Sequence, residues 1–454
     1  MNQKNDVQLW QAWQDAVRQE VKKRPWLASL LCQKRHHLFE RFTLFYNRLR
    51  AAPRKLRRKL AYGVAAAALM LALSGVPAPP LQANATIVVT PGAAGIVADG
   101  QCSLVEAIIN ANDGAATHAD CAPGSAGHDT IVLAGNAYSY DNAYGTDSAL
   151  PDIAIEITIE ANGATIARDN GDDTPNMRLI RVDAGGALTL NNAIITGGSG
   201  VNRGGGIYNR SGAITLNNSA VSGNTADAGG GIFNADGATT LNNSTVSGNT
   251  ADDDGGGIFN FDGAITLNNS TVSGNSAKNG GGIFNDNGAA NLNNSAVSAN
   301  SASVGGGGIV SYYYNSATTL VRTIVSGNNA NIGAEMRTVY GSIVGNNHNI
   351  IGYGGDARSS GFTPSGSDVV PPGALATVLN PTLADNGGPT LTHALVPGSP
   401  AIDIAPAADC LAPPINGVDQ RGVTRPQGDG CDAGAVEMEQ GVTAVLFLPL
   451  ILSP

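Results

Sequence analysis

A block of 25 or 26 residues repeats along the middle of this chain. The aliphatic residue that follows a run of glycines recurs after 25, 26, 25 and 26 residues. Its positions are Ile207, Ile232, Ile258, Ile283 and Ile309. A fixed period in this range marks a solenoid, because each repeat is one coil that buries its apolar side only against neighbouring coils.

Each repeat contains three short runs with the composition of β-strands. In the first full copy they are Gly-Gly-Ile-Tyr-Asn, Ala-Ile-Thr-Leu-Asn-Asn and Ala-Val-Ser-Gly-Asn. Gly, Asn, Asp and Ser separate them, as turns require. Strand alternation places Ile214 and Leu216 on one face. The chain is therefore predicted to form an all-β, right-handed parallel β-helix with three strands per coil, in which Ile232, Ile258 and Ile283 stack inside consecutive coils.

Two columns of side chains should run along such a solenoid. Asparagines on one corner are expected to form a ladder of side-chain amides, as in other stacked sheets. These are Asn218, Asn243, Asn269 and Asn294. The aromatic residue after each stacked isoleucine should point outward, and an exposed file of rings could bind glycan. The file is Tyr208, Phe233, Phe259 and Phe284. The alternative is a file packed at a corner or covered by a loop.

Residues 1–85 have the composition of a leader. They hold 15 of the 26 Lys and Arg residues, all within residues 1–60. The basic run Arg54–Leu60 precedes an apolar segment of about 16 residues and an Ala-Asn-Ala site at residues 83–85, which is the order of a secretory signal. We expect a basic extension plus a signal peptide, cleaved before Thr86. A retained membrane anchor is the alternative, although a span needs roughly 20 residues.

The remainder of the chain is acidic. From Thr86 onward there are 11 basic and 32 acidic residues, a net charge of −21. Such a surface repels phosphate backbones, so nucleic acid is not an expected partner. The 59 glycines among 454 residues exclude a helical bundle, because each interior glycine destabilises a helix by roughly 1 kcal/mol.

The cysteines of the predicted mature chain form two local pairs, one near each end. Cys102 with Cys121 and Cys410 with Cys431 are the expected disulfides in an oxidising compartment. Four free thiols are the alternative. A short helix is predicted after Cys102, because Ser103 and Glu106 have capping-box spacing. It would cover the open front end of the solenoid.

Two stretches resemble known families. Cys102, Ser103, Leu104, Glu106 and Ala107 match the Cys-Ser-Leu-Arg-Glu-Ala motif that opens many secreted β-helix proteins of the pectin-lyase-like superfamily, with Val105 where that motif has Arg. The resemblance implies an N-terminal cap over residues 86–150 and a β-helix over 151–360.

The second resemblance lies near the C-terminus. The stretches Asp385–Asp403 and Asp419–Glu437 resemble the choice-of-anchor Q domain, which implies a C-terminal cap over residues 361–440 and attachment to a cell surface. The apolar tail 441–454 would then be a sorting signal or a last buried strand.

The sequence offers little catalytic machinery. It contains no Gly-His-Gly and no Arg-x-Lys motif after Thr86, and its catalytic residues, if there are any, are unknown. The acidic run of Asp252, Asp253 and Asp254 is interpreted as turn chemistry, with a weak calcium site as the alternative. No other cofactor is expected.

The combined prediction is an exported protein of the cell surface or extracellular space. Adhesion or glycan binding without catalysis is the leading hypothesis, and the expected partner is a polysaccharide or cell-surface glycan. A polysaccharide lyase or glycoside hydrolase is the second hypothesis, and a structural spacer is the third. A monomer is expected, with membrane contact only through the signal or the tail.

Overall fold

The structure of the protein is a computed structural model that describes residues 84–93, 95–345, 347–364 and 366–439. Nearly all of the predicted leader, and the apolar tail 441–454, lie outside the described residues. No helix in the described ranges is long and apolar enough to cross a membrane.

The described chain is a parallel β-solenoid of about nine turns, whose strands form four sheets, named here in the order in which the middle coils enter them. Sheet 1 has ten strands. They are Thr86–Val88, Asp129–Val132, Glu156–Glu160, Ala187–Asn191, Ala213–Asn217, Ala238–Asn242, Ala264–Asn268, Ala289–Asn293, Ala317–Val321 and Ser342–Val344. Sheet 2 has nine strands. They are Ala137–Tyr140, Thr165–Arg168, Ile194–Thr196, Ala220–Ser222, Thr245–Ser247, Thr271–Ser273, Ala296–Ser298, Ile324–Val325 and Ile350–Ile351.

Sheets 3 and 4 complete each middle coil. Sheet 3 has six strands. They are Val201–Arg203, Thr225–Ala228, Thr250–Asp254, Ser276–Asn279, Ser301–Gly305 and Asn329–Ile332. Sheet 4 has eight strands. They are Ile180–Val182, Ile207–Arg210, Ile232–Ala235, Ile258–Phe261, Ile283–Asp286, Ile309–Tyr312, Met336–Val339 and Ser359–Ser360.

Sheet 3 adds a fourth strand to each coil that enters it, whereas the sequence predicted three strands per coil. Its strands carry Thr-Ala-Asp and Ser-Ala-Lys runs rather than apolar alternation, so their composition is that of turns. The pairing also shifts register between neighbouring strands, for example between Ala226 and Ala228. Three of these strands bury a single alanine, Ala226, Ala251 or Ala277, and leave the rest of the run half-exposed or exposed, which is why no apolar pattern marks them.

The predicted stack of isoleucines is confirmed. Ile232 pairs with Ile258, and Ile258 pairs with Ile283, in neighbouring parallel strands of sheet 4. All three side chains are fully buried. The same like-on-like register joins the leucines of sheet 1 and the valines of sheet 2, so one apolar core runs along the solenoid.

The asparagine ladder lies one residue before the predicted column. Side-chain amides donate from one coil to the next at 2.8–2.9 Å along the last positions of sheet 1. This ladder consists of Asn191, Asn217, Asn242, Asn268 and Asn293. The predicted members instead occupy the turn that follows, with φ values of 44° to 51°. Asparagine tolerates this left-handed backbone better than most residues, so the turn and not a ladder explains them.

Two further asparagine ladders lie inside the coils. One joins Asn209, Asn234, Asn260 and Asn285 at the end of sheet 4, with amide contacts of 2.7 Å. The other lies between sheets 2 and 3 and consists of Asn224, Asn249, Asn275, Asn300 and Asn328. In the second ladder each backbone N–H and each Nδ2 donate to the next Oδ1, and Glu335 accepts both bonds from Asn328 at the far end.

The glycine runs allow close backbone approach where the chain leaves sheet 3 for sheet 4. A Cβ on Gly230 would lie 2.3 Å from the carbonyl oxygen of Thr250 in the next coil. Such a contact is sterically impossible, so side chains are excluded there. This explains why the Gly-Gly-aliphatic motif recurs in every middle coil.

The predicted front helix is present as α1, Leu104–Asp113. Its capping box is complete, because the amide of Glu106 donates to Ser103 Oγ and the amide of Ser103 donates to the Glu106 carboxylate. Leu104 and Ile108 are fully buried in the main core. The Cys102–Cys121 disulfide is confirmed.

The C-terminal segment folds back along the side of the solenoid. It contains the short 3-10 helix Leu375–Thr377, helix α2, Ala407–Leu411, and an antiparallel pair of strands, Ala405–Pro406 with Gly430–Cys431. The Cys410–Cys431 disulfide is confirmed. The buried guanidinium of Arg425 lies 3.0 Å from the equally buried carboxylate of Glu437.

Sheet 2 and the turn before it hold this segment in place. Thr271 donates to Gln420 at 2.7 Å, and Ser273 lies 2.8 Å from the ring of His393. Burial lowers the pKa of His393. The second ring nitrogen lies 2.8 Å from the carbonyl oxygen of Asn380, so the ring links sheet 2 to the C-terminal segment. Asn269, a residue of the predicted ladder, donates its side-chain amide to the carbonyl of Val418.

The asparagine ladder between sheets 2 and 3 should be essential to stability, whereas the side chain of the turn residue Asn243 should not be. Asn275→Ala removes four side-chain hydrogen bonds, to Asn249, Val246 and Asn300, and leaves buried groups unpaired. We expect a loss of about 2–4 kcal/mol in the free energy of unfolding. The control is Asn243→Gly, which retains a residue suited to positive φ and should change stability by under about 1 kcal/mol. Equal losses in urea unfolding would contradict this assignment.

Candidate functional site

The predicted aromatic file exists on the outer side of sheet 4. Tyr208, Phe233, Phe259 and Phe284 pair in register, one per coil. Successive ring centroids lie 5.6, 4.8 and 5.1 Å apart. The alternation of sheet 4 therefore places one aromatic ring outside the main core in each of four coils.

These rings are not exposed, so the prediction of an open file is wrong. Phe233, Phe259 and Phe284 are only 3%, 8% and 4% exposed and form a small cluster of their own. Glycine is required at position 229, because a Cβ there would lie 2.9 Å from the Cβ of Phe233. The alternative of a covered file is the one that the structure supports.

The geometry of the file also argues against sugar stacking on it. The rings of Phe233 and Phe259 are nearly parallel, with 9° between their planes. Their faces are directed at each other, and the guanidinium of Arg203 lies 5.1 Å from the centroid of the Phe233 ring. A sugar stacks on a ring face, and these faces already have partners.

An exposed tyrosine cluster continues the file at its far end. Tyr312 lies 5.6 Å from Phe284 between ring centroids, and 4.7 Å from Tyr313. Tyr314 and Tyr340 lie 5.1 Å apart. Tyr313, Tyr314 and Tyr340 are 50%, 79% and 61% exposed. We call Tyr312, Tyr313, Tyr314 and Tyr340 the tyrosine cluster.

Two members of the tyrosine cluster have a backbone that their residue type disfavours. Tyr313 has φ 51° and Tyr340 has φ 67°. Both follow a strand of sheet 4 directly, and the same turn position in four earlier coils also has positive φ. The earlier residues are Ser211, Asp236, Asp262 and Asn287. Bulky residues are strained in this region, and such strain concentrates at functional sites.

The sequence itself contains a signal for this cluster. Three consecutive tyrosines, Tyr312–Tyr314, occupy the last position of a sheet 4 strand and the turn after it, where the preceding coil has Asp-Asn-Gly. The repeat also lengthens there, because Leu292 and Leu320 are 28 residues apart and pair directly in sheet 1. An insertion that preserves the register of the core is therefore presented at the surface.

The acidic run at residues 252–254 lies on sheet 3. Asp254 accepts a hydrogen bond from Asn279 at 2.9 Å, and Asp253 lies 4.0 Å from Lys278. Burial raises the pKa of Asp254, and the charge of Asp253 raises it further. Across the described part of the chain, no group of three or more His, Cys, Asp or Glu side chains is arranged to hold a metal ion. The calcium site stays a prediction.

Asp286 is a buried carboxyl at the base of the tyrosine cluster. It is paired in register with Tyr312, and it is 9% exposed. Its Oδ1 is buried and has no hydrogen-bond partner. Burial raises the pKa of Asp286 to about 6, and the negative charges of Asp262 and Asp254 add to the effect.

Comparison of the chain with protein-family models, with curated proteins and with solved structures finds no match in any of the three. The two family resemblances noted in the sequence therefore remain resemblances. The function has to be inferred from the geometry of the chain itself.

Truncation of the file should destabilise the fold, since these rings form a cluster of their own. Phe259→Ala removes a ring stacked between Phe233 and Phe284 and should lower the free energy of unfolding by about 3 kcal/mol. The matched control is Phe261→Ala in the same strand, where the ring is 38% exposed and the loss should stay under about 1 kcal/mol. Comparable thermal stability of both variants would mean that the file is open to solvent.

Asp286 should make stability depend on pH. Because its pKa is raised on folding, the folded state retains a proton between pH ~4 and pH ~6 that the unfolded state releases. The stability of the wild type should therefore fall across this range by up to about 3 kcal/mol. The side chain of the Asp286→Asn variant cannot ionise. The stability of this variant relative to the wild type should therefore increase as the pH rises from 4.5 to 7.5. A difference in melting temperature that does not change with pH would contradict this.

Proposed function

We propose that this protein is an extracellular or surface-attached β-solenoid that binds glycan through its tyrosine cluster, without catalysis. The observation that carries the proposal is the set of three exposed rings, Tyr313, Tyr314 and Tyr340, at the end of an otherwise buried aromatic file. Two of the three stand at a positive-φ turn position that earlier coils fill with Ser, Asp or Asn, and bulky residues there support a role other than folding.

The chemistry of the tyrosine cluster suits a saccharide. Tyrosine offers an apolar ring face for the C–H groups of a sugar and a hydroxyl that can donate and accept hydrogen bonds. Tyr314 and Tyr340 are tilted by 37° to each other, so two rings can contact neighbouring parts of one ligand. The contacts of Tyr340 with Tyr312 and Tyr314 restrict its motion, which lowers the entropic loss on binding.

Surface attachment is part of the same proposal. Two disulfides fasten the front helix and the C-terminal segment, and disulfides persist in oxidising compartments. The motif at Cys102–Ala107 resembles the start of secreted β-helix proteins, and the stretches after Asp385 resemble an anchoring domain. The predicted leader adds a route of export.

Binding is favoured over the hydrolase or lyase alternative for a physical reason. A glycosidase needs carboxyl groups that reach the sugar from both sides of the scissile bond. Beside the tyrosine cluster, the carboxyl of Asp286 is buried and Asp262 accepts a hydrogen bond from Asn287. The spacer alternative leaves the exposed and strained tyrosines without a role.

A glycan array tests the proposal. The purified protein and the double variant Tyr314→Ala/Tyr340→Ala should be compared, and the double variant should bind at least about tenfold more weakly, because each aromatic contact is worth roughly a kcal/mol. Phe261→Ala, a partly exposed aromatic of the same sheet, is the matched control and should bind as the wild type does.

Two outcomes would contradict the proposal. One is equal binding by the double variant and the wild type, which would place the contact surface elsewhere. The other is release of reducing or unsaturated sugar ends from array ligands by the wild type, which would favour the enzyme. A melting curve that matches the wild type should accompany each variant, so that loss of fold is not mistaken for loss of binding.

A further inference from the structure

A set of adjoining cavities lies at the front end of the solenoid, away from the tyrosine cluster. The central cavity has a volume of about 360 Å³ and is lined by the chain segment from Tyr144 to Asp152, by the end of helix α1 and by Arg181. Tyr144 also lines a second cavity of about 290 Å³, and Asp147 also lines a third of about 440 Å³. These volumes lie in the range of small-ligand sites.

Charged side chains around the central cavity are held in fixed positions. Asp147 accepts from Arg178 at 2.5 Å, and Arg178 is almost fully buried and also donates to the carbonyl of Arg203. The Nε of Arg181 lies 3.0 Å from Asp183 and 3.6 Å from Asp152. Such pairs preorganise a site, because the side chains are already ordered before a ligand arrives.

The same cavity offers both donors and acceptors of hydrogen bonds. The carboxylates of Asp113 and Asp152 are acceptors, and the guanidinium of Arg181 is a donor. Ser148, a lining residue that is 3% exposed, has a buried hydroxyl without a hydrogen-bond partner.

An apolar wall completes the cavity. Ile109 of helix α1 and Pro151 contribute aliphatic surface, and the ring of Tyr144 is 40% exposed at the boundary between the central and second cavities. Apolar walls with a few fixed polar groups are typical of small-molecule sites. An exposed ring beside carboxylates and a guanidinium can contact the C–H face of a sugar while its hydroxyls are hydrogen-bonded.

We propose that this front cavity binds one neutral sugar residue, held by Asp113, Asp152 and Arg181 and stacked against Tyr144. Sugar hydroxyls can donate to the carboxylates and accept from the guanidinium at the same time. The carboxylates of Asp113 and Asp152 would repel an anionic sugar, and the guanidinium of Arg181 would repel a cationic sugar. A neutral polyol is the ligand that satisfies both kinds of group.

The front cavity is separate from the tyrosine cluster. Arg181 lines the front cavity, and Arg337 lies on the strand that precedes Tyr340. Six successive pairs of residues in register separate Arg181 from Arg337 along sheet 4. At about 4.8 Å per coil, the two arginines are roughly 29 Å apart along the solenoid. Binding at one site can therefore be lost without loss at the other, so the two proposals stand or fall independently.

Saturation-transfer difference NMR on the full protein tests this inference. The probes are the free monosaccharides glucose, galactose, mannose and N-acetylglucosamine, with glucosamine as the cationic and galacturonic acid as the anionic comparison. At least one neutral sugar should give a signal. Tyr144→Ala and Asp152→Asn should each weaken its binding at least about tenfold, because they remove the ring contact and one charged acceptor.

The front-cavity variants are compared in the Tyr314→Ala/Tyr340→Ala background, so that sugar bound at the tyrosine cluster does not contribute to the signal. Phe261→Ala, a 38% exposed aromatic outside both proposed sites, is the control and should leave monosaccharide binding unchanged. The inference is overturned if no neutral sugar binds, if only a charged sugar binds, or if both front-cavity variants bind as the Tyr314→Ala/Tyr340→Ala protein does. Tyr144 and Asp152 both have partly exposed side chains, so unchanged melting curves are expected for their variants.

Discussion

The stacking of each coil on a copy of itself is the constraint on which the structure depends. Each strand of the four solenoid sheets forms its hydrogen bonds with the equivalent strand of a neighbouring coil, and the side chains follow the same register. An apolar residue finds an apolar neighbour in this arrangement. A buried asparagine likewise has a neighbour that accepts the hydrogen bond of its side-chain amide. A polar group inside the coil is tolerated only when its hydrogen bonds are satisfied in this way.

The ends of these ladders show what happens when the repeat stops. Asn328 has no asparagine in the next coil, and the carboxylate of Glu335 takes its place, with Oε2 accepting from both the backbone and the side chain of Asn328. Burial raises the pKa of Glu335 to about 7, although these hydrogen bonds and the charge of Arg358 lower it in part. The end of this ladder therefore contains an ionisable group, whereas its middle consists of asparagines only.

The C-terminal segment and the two candidate sites use different sides of this framework. The segment from residue 366 covers part of sheet 2 and hydrogen-bonds to turn positions such as Asn243 and Asn269. On sheet 4 the rings of the aromatic file are buried in a cluster of their own. Apart from Phe261, exposed rings occur where the repeat is interrupted, at the insertion that contains Tyr313 and Tyr314, and in the segment around Tyr144 at the front.

The sequence by itself determined the solenoid, the isoleucine stack, the front helix and both disulfides, because period, alternation and capping are local patterns that each coil repeats. It missed the fourth strand, whose Thr-Ala-Asp composition is that of a turn. Only the tertiary structure decided which asparagines form ladders and which of Phe233 and Tyr314 is exposed. Those outcomes depend on backbone conformation at the turns and on which side chains of neighbouring coils come into contact, and neither is set by the order of residue types within one coil.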